Sequence, residues 1–339
     1  FGMMNVGVAL WLLFSLGDEI RWVRVHRGAG LLVLVALVLG FVTADRIMEA
    51  AEAGVYADPV IHAQSTPYQR IVLTSSRKDL RLFLNGNLQF SSRDEYRYHE
   101  ALVHPGLAAV ASPRRVLIFG GGDGLAAREV LKAPAVDSVT QVELDPAMVQ
   151  LFSHNSMLAA LNAQSYASPK LHVTMADAFV WLKQAADTAD PPQFDYIVVD
   201  FPDPSNYSIG KLYSLTFFRL LQRVLAPGGA IVVQSTSPFV ARRSYWCVVA
   251  TLEAAGFTTT PYHVYVPSFG EWGFVLAASG SLTLRDRYPP GLRYVNAATV
   301  AEMQRFPPDM DRVPAEVNRL DSQALVRYFD EEWAEYGVN

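Results

Sequence analysis

Cysteine is almost absent: the 339 residues contain one, Cys247. A single thiol excludes a disulfide framework and a cysteine metal cluster. The 7 histidines show no ligand spacing such as HExxH, so no metal site is expected. Charge is scarce as well, 18% of residues against 51% hydrophobic, which is apolar for a soluble enzyme and points to a membrane-facing part. The net charge is −5 and there is no basic tract. That balance disfavours nucleic acid as a partner and suits a cationic substrate better. No internal repeat or low-complexity run is present.

Long uncharged runs are present, and they sit at the start. Phe1–Gly17 and Gly28–Ala44 each carry no charge. Each is about 17 residues, roughly 25 Å as a helix, at the short end of a membrane span. Between them lies the charged stretch Asp18-Glu-Ile-Arg-Trp-Val-Arg-Val-His-Arg27. The expectation is a transmembrane helical hairpin over 1–44, ending a larger membrane domain, multi-pass in a bacterial inner membrane. Arg21, Arg24 and Arg27 would keep the connecting loop in the cytoplasm and send the rest across. Nucleoside cosubstrates are cytoplasmic, and one loop is thin support for the opposite side, so the cytoplasm is the side expected for the large domain. Residues 45–59 read as a linker, helical and then broken by proline.

From Val60 the pattern becomes strand-like, with Ile71-Val-Leu, Leu80-Arg-Leu-Phe-Leu84 and Asn87-Leu-Gln-Phe90. Asn85-Gly86 between alternating apolar residues is a two-residue hairpin signal. A small β domain is therefore expected over 60–100, with a helix over Asp94–Ala111 bringing Tyr98 and His99 to the next strand. That strand, Val116–Phe119, runs into Gly120-Gly-Gly-Asp-Gly124 and a helix-forming stretch from Leu125. Strand, glycine turn, helix opens a doubly wound α/β domain. The alternation continues with strands at 138–145, 171–177, 194–200 and 230–235 and helices at 146–160, 178–186, 211–225 and 241–255. Two closing strands, 259–266 and 272–278, complete a Rossmann-like, methyltransferase-type sheet over 101–280. The tail, 281–339, is polar and proline-rich with one helix over Ser322–Tyr336.

In such a sheet ligands sit beyond the carboxyl ends of the strands. The polar residues there are Asp123, Glu143, Asp177, Asp200, Asp203 and Gln234, five of them acidic. A phosphate would be repelled; a cation would be drawn in. Glu143 follows the glycine loop by about twenty residues, where a carboxylate can grip two ribose hydroxyls. Asp123, inside the loop, would repel a ligand carboxylate and welcome a sulfonium nucleoside that carries an amine instead. Asp200-Phe-Pro-Asp203 supplies two carboxylates where an alkylammonium must lose a proton before attacking carbon. The competing reading of that pair is turn chemistry.

These residues resemble the spermidine synthase (polyamine aminopropyltransferase) family over about Ile61–Ala278. The likeness is carried by Tyr68-Gln69, Leu84-Asn-Gly-Asn-Leu-Gln89, Asp94-Glu-Tyr-Arg-Tyr-His-Glu100, Gly120-Gly-Gly-Asp-Gly124, Val142-Glu-Leu-Asp145, Asp177 and Asp200-Phe-Pro-Asp-Pro204. The membrane part resembles a bacterial branch in which the synthase follows a helical bundle. The resemblance implies transfer of an aminopropyl group from decarboxylated S-adenosylmethionine, a cosubstrate and not a bound cofactor, to a polyamine such as putrescine. Methylthioadenosine is released. It implies Asp200 as proton acceptor, Asp203 and Gln234 at the acceptor amine, Asp123 on the aminopropyl amine, and Tyr98 and His99 lining the channel. Gln69, Gly120, Gly122, Glu143, Asp177 and Ala178 would meet the nucleoside, and the chain would form a homodimer. Phe201-Pro202 replaces a hydroxyl-bearing pair, Ser205–Gly210 replaces the gate-loop Gly-Pro, and Pro267-Ser-Phe269 lacks the usual tyrosine. These departures put the acceptor amine in doubt, not the donor. Rival readings are an S-adenosylmethionine-dependent methyltransferase, against which Asp123 argues, and a non-catalytic membrane sensor of polyamines or nucleosides.

Overall fold

A computed structural model describes residues 1–16 and 21–336. The chain divides into two compact units, residues 1–63 with 72–77, and residues 64–71 with 78–339. In the first, α1 (Gly2–Ser15) packs against α2 (Val23–Val55). Gly30 leaves room for Leu10, and the Arg27 guanidinium donates to the Leu13 carbonyl at 3.1 and 2.8 Å. Among the described residues only Val23–Ala44, 22 residues with mean hydropathy 2.1, is long and apolar enough to cross a membrane. At 14 residues, α1 reaches about 21 Å, short of the roughly 30 Å hydrocarbon layer. Of the two spans expected from the sequence, one is a helix of sufficient length among the described residues. Residues 45–55, expected as linker, continue α2 because no glycine or proline interrupts them before Gly54. Asp18 and Glu19 of the charged connection lie outside the described residues.

Strands β1 (Val60–Ser65), β2 (Arg70–Ser76), β3 (Asp79–Leu84) and β4 (Asn87–Ser91) form a separate sheet in that order. Asn85 and Gly86 take φ of 51° and 84°, the left-handed pair that a type I′ hairpin turn demands, and Leu84 faces Asn87 across it.

The following elements are α3 (Glu95–Ala109), β5 (Arg115–Gly120), α4 (Leu125–Leu131), β6 (Ser138–Glu143), α5 (Pro146–His154), α6 (Ser156–Leu161), β7 (Leu171–Met175), α7 (Ala178–Ala186) and β8 (Phe194–Asp200). They continue with α8 (Tyr207–Gly210), α9 (Leu215–Val224), β9 (Leu225–Gln234), α10 (Arg242–Ala254), β10 (Thr258–Val266), β11 (Gly270–Ala278), α11 (Ala297–Met303) and α12 (Ala324–Glu335). The seven-stranded sheet runs β10-β11-β9-β8-β5-β6-β7, with β11 alone running against the other six strands. Val116-Leu-Ile-Phe119 is fully buried, as expected of a central strand covered on both faces. Each such side chain contributes about 1.5–3 kcal/mol by leaving water. After β5 the chain builds outward through β6 and β7, then returns to lay β8 on the other side. The order reverses at β5, and the crevice at such a switch point is where open α/β sheets bind ligands.

Two strands, β6 and β7, stop earlier than the residue pattern suggests, because the acids that follow them cap helices. Asp145 accepts from Ala147 N and Asp177 from Phe179 N and Val180 N. The helix expected over 146–160 breaks at Asn155, whose side chain caps α6. The tail carries a second helix, α11, opened by an Asn296/Thr299 capping box.

Candidate active site

The register of the central strands brings the glycine loop and the aspartate pair together. Gly120, the last residue of β5, lies beside Asp200, the last of β8. Its φ is +78°, and a Cβ there would run into the Asp200 backbone carbonyl, so the close approach requires glycine. A Cβ on Gly122 would lie 2.9 Å from Glu143 Oε2, which places the Glu143 carboxylate against the loop. Asp123 turns Oδ1 onto Leu125 N at 2.9 Å. Burial raises its carboxyl, partly offset by His99.

Asp200 accepts a 2.7 Å hydrogen bond from Tyr98 OH, whose ring lies edge-on to Phe274 and Phe269. Burial pushes Asp200 up to about 6; the His99 charge opposes this and the Asp123 charge adds to it. Asp123 and Asp200 therefore act on one another and on the same imidazole. Phe201 does not plug this region, because it turns into the core against Phe119, Tyr213 and Phe217. Asp203 is raised to about 7 by burial, against hydrogen bonds from Gln234 Nε2 at 3.3 Å and Thr236 Oγ1 at 3.4 Å. Gln234 is a joint within the protein. Its Nε2 also donates to the Phe201 carbonyl at 2.6 Å, and its Oε1 accepts from Trp272 Nε1 and Thr236 N, both at 3.0 Å. Trp272 in turn meets Phe269 edge to face, extending an aromatic wall from Tyr98.

On the other side, Glu143 Oε1 accepts from Leu144 N and Asp145 N, at 2.8 and 2.9 Å. Burial outweighs those bonds and raises its carboxyl to about 7. Gln69 is delivered to the same strand end by a 3.0 Å hydrogen bond to Asp145 Oδ2. Asp177 caps α7 through Oδ1 and pairs through Oδ2 with Lys211 Nζ at 2.8 Å, and Ala178 opens the helix. Lys211 is absent from the sequence-based set of site residues.

The spermine/spermidine synthase domain profile matches residues 95–286. The chain belongs to the spermine/spermidine synthase family. It is 52% identical to polyamine aminopropyltransferase 2 of Ralstonia nicotianae, over 98% of this chain and 66% of that one. It is 49% identical to the polyamine aminopropyltransferase of Leptospira interrogans, over 98% and 66%. The chain thus spans just under two thirds of these relatives' length. Among solved structures, spermidine synthase in complex with the transition-state analogue AdoDATO superposes with a TM-score of 0.67 at 22% identity, over 73% of this chain and 85% of that one. Spermidine synthase from Thermotoga maritima gives 0.65 at 22%, over 73% and 84%. At that identity the likeness is one of fold.

In this spermine/spermidine synthase domain the residue pattern left one network unread. His99 Nδ1 lies 2.9 Å from Glu95 Oε2 and from the Glu95 carbonyl, one turn back on α3. Arg128 of α4 holds both Glu95 oxygens at 2.8 Å. Burial works to raise Glu95, yet His99 and Arg128 hold it down at about 2. Burial likewise lowers His99, but Glu95, Asp123 and Asp200 bring it up to about 9. The imidazole is therefore a fixed cation behind the two site aspartates. The Glu95/His99 spacing of four on a helix was the available signal; Arg128 gave none.

Proposed function

We propose that the chain is an aminopropyltransferase moving the aminopropyl group of decarboxylated S-adenosylmethionine to a diamine, putrescine foremost, giving spermidine. The observation that supports this best is Asp200, hydrogen-bonded by Tyr98 and set against the glycine loop at the switch point. The acceptor amine, once neutral, attacks the methylene carbon bonded to the sulfonium. The C–N bond forms as the C–S bond breaks, sulfur keeps the electron pair, and methylthioadenosine leaves. Asp200 takes the proton from the nitrogen, Asp203 holds the acceptor, and Asp123 binds the ammonium end of the aminopropyl group. Glu143, Gln69 and Asp177 flank the nucleoside. With Asp200 at about 6, the base is poised near working pH, where proton acceptance is most effective.

Incubating the full chain with decarboxylated S-adenosylmethionine and putrescine, cadaverine or agmatine should release methylthioadenosine. No release with any amine overturns the reading. Asp200 and Asp203 must be ionised to work, and their values lie at about 6 and 7. kcat/KM should therefore climb as pH rises through 6 to 7, falling about tenfold per unit between the two values and about a hundredfold per unit below both. A profile flat down to pH 5 would exclude both groups.

The apolar helices support a membrane tether, since Trp11, Leu32 and Phe41 are more than three-fifths exposed and exposed apolar surface of this extent needs a partner. The α/β unit would lie on the cytoplasmic side, where the nucleoside is, and work as a homodimer, as the family resemblance implies. Fractionation of cells expressing the full chain, followed by cross-linking, tests both.

A further inference from the structure

The glycine loop shows five consecutive carbonyls, each gripped by a side chain. Gln141 Nε2 donates to Gly120 O at 2.9 Å and to Gly121 O at 2.7 Å. Tyr166 OH donates to Gly122 O at 2.8 Å, Asn162 Nδ2 to Asp123 O at 3.0 Å, and Ser165 Oγ to Gly124 O at 2.9 Å. Gln141, Asn162 and Ser165 are at most 3% exposed. Three of the four donors come from one short segment, and that segment is strained: Ala163 and Gln164, neither a glycine, both sit in the left-handed region at φ 51° and 55°. Such strain persists only where the surroundings over-determine it, and it concentrates at functional sites. A Cβ on Gly124 would strike Ser165 Oγ, Tyr166 and Asn162 Nδ2, so the fit is close on both sides.

We infer that Gln141 and the 162–166 segment form a carbonyl clamp, a set of positioning residues that sets donor affinity by fixing every peptide of the glycine loop. Glycine peptides rotate at little cost, and the loop holds three positive-φ glycines, Gly120, Gly121 and Gly124. A peptide's N–H points opposite its carbonyl. Holding the carbonyls on one side therefore turns the N–H groups of Gly121, Gly122 and Asp123 to the other side, and gives the Asp123 carboxylate one address. A loop left free to flip must be ordered when the nucleoside binds, and that cost falls on affinity. The acceptor side, built from β8, β9 and β11, is untouched. The clamp rests on the aminopropyltransferase reading, because it needs a nucleoside at this loop.

The test uses the full chain and methylthioadenosine as probe, by calorimetry, alongside steady-state kinetics. Tyr166→Phe removes one hydroxyl and little else. It should weaken methylthioadenosine binding about tenfold, equivalent to about 1.4 kcal/mol. The KM for decarboxylated S-adenosylmethionine should rise in parallel, while kcat stays within about threefold and the diamine KM is unchanged. Asn162→Ala should act in the same direction; should that variant fail to fold, Tyr166→Phe decides alone. Wild-type affinity in Tyr166→Phe, or a fall in kcat with affinity intact, overturns the clamp while leaving the reaction standing. A wild-type chain that neither binds nor releases methylthioadenosine overturns the reaction and the clamp together.

Discussion

Asp200→Asn should reduce turnover by about 10²- to 10⁴-fold, the usual weight of a positioned general base, while methylthioadenosine binds within a few-fold of wild type. The substitution is nearly isosteric, and the amide oxygen still accepts from Tyr98 OH. What it removes is the ability to take a proton from the attacking nitrogen. As a barrier this is roughly 2.7–5.5 kcal/mol. Below pH 6 the residual rate should also fall less steeply, with the Asp203 limb alone, because Asp200 would no longer titrate. Single-turnover assays on both proteins measure this directly, and an unchanged rate removes Asp200 from the base role.

Arg128→Met should cost roughly 3–5 kcal/mol of stability, the range for leaving a buried charge without its partner. Methionine keeps the apolar stem of arginine, so the loss is the guanidinium and not the packing. Glu95, 4% exposed, would retain only His99; Glu129 keeps His104 and Lys132. The sign with pH follows from the two partners. Glu95 is depressed to about 2, so its contribution is complete above about 4.5 and lost as pH falls through 2. His99 is raised to about 9, so its contribution is complete below about 6.5 and lost as pH rises through 9. The deficit of the variant should therefore shrink as pH falls and Glu95 takes a proton, and widen as pH rises through 9, where the one remaining partner of Glu95 loses its charge. Denaturant melts at pH 3, 5.5 and 9.5 check it, and an equal deficit at all three would refute the coupling.

The parts of this site that could be read from residue order are those at strand ends. Asp123, Glu143 and Asp200 follow apolar runs whose length and spacing set the sheet, and sheet topology alone puts them on one edge. The fate of other polar residues depended on neighbours distant in the chain. Gln234 is chemically suited to an amine, yet the folded chain ties it to Phe201, Asp203 and Trp272. Asp177 meets Lys211, 34 positions on, with α7, β8 and α8 between them and no local pattern that pairs the two. The clamp on the glycine loop was invisible for the same reason, since its donors are ordinary polar residues 20 to 44 positions away. Local rules fared better where chemistry is local: Asn85-Gly86 predicts its turn, and Asn296 with Thr299 announces a helix that the polar, proline-rich look of the tail concealed. At the N-terminus, absence of charge marked both runs, and among the described residues α2 has the length of a span.

Burial has one thermodynamic consequence for the acids of the candidate site. Asp200, Asp203 and Glu143 are all raised, to about 6, 7 and 7. Acids displaced upward make the fold take up protons: their favourable share is whole below about pH 4 and dwindles as pH climbs through 6 to 7, opposite in sign to Glu95. Near neutrality this cluster is therefore a partly protonated buffer, and a cation entering it would displace those protons. Cation binding and proton release would be one event, so alkalinity that loosens the fold at these acids would tighten its hold on a cation.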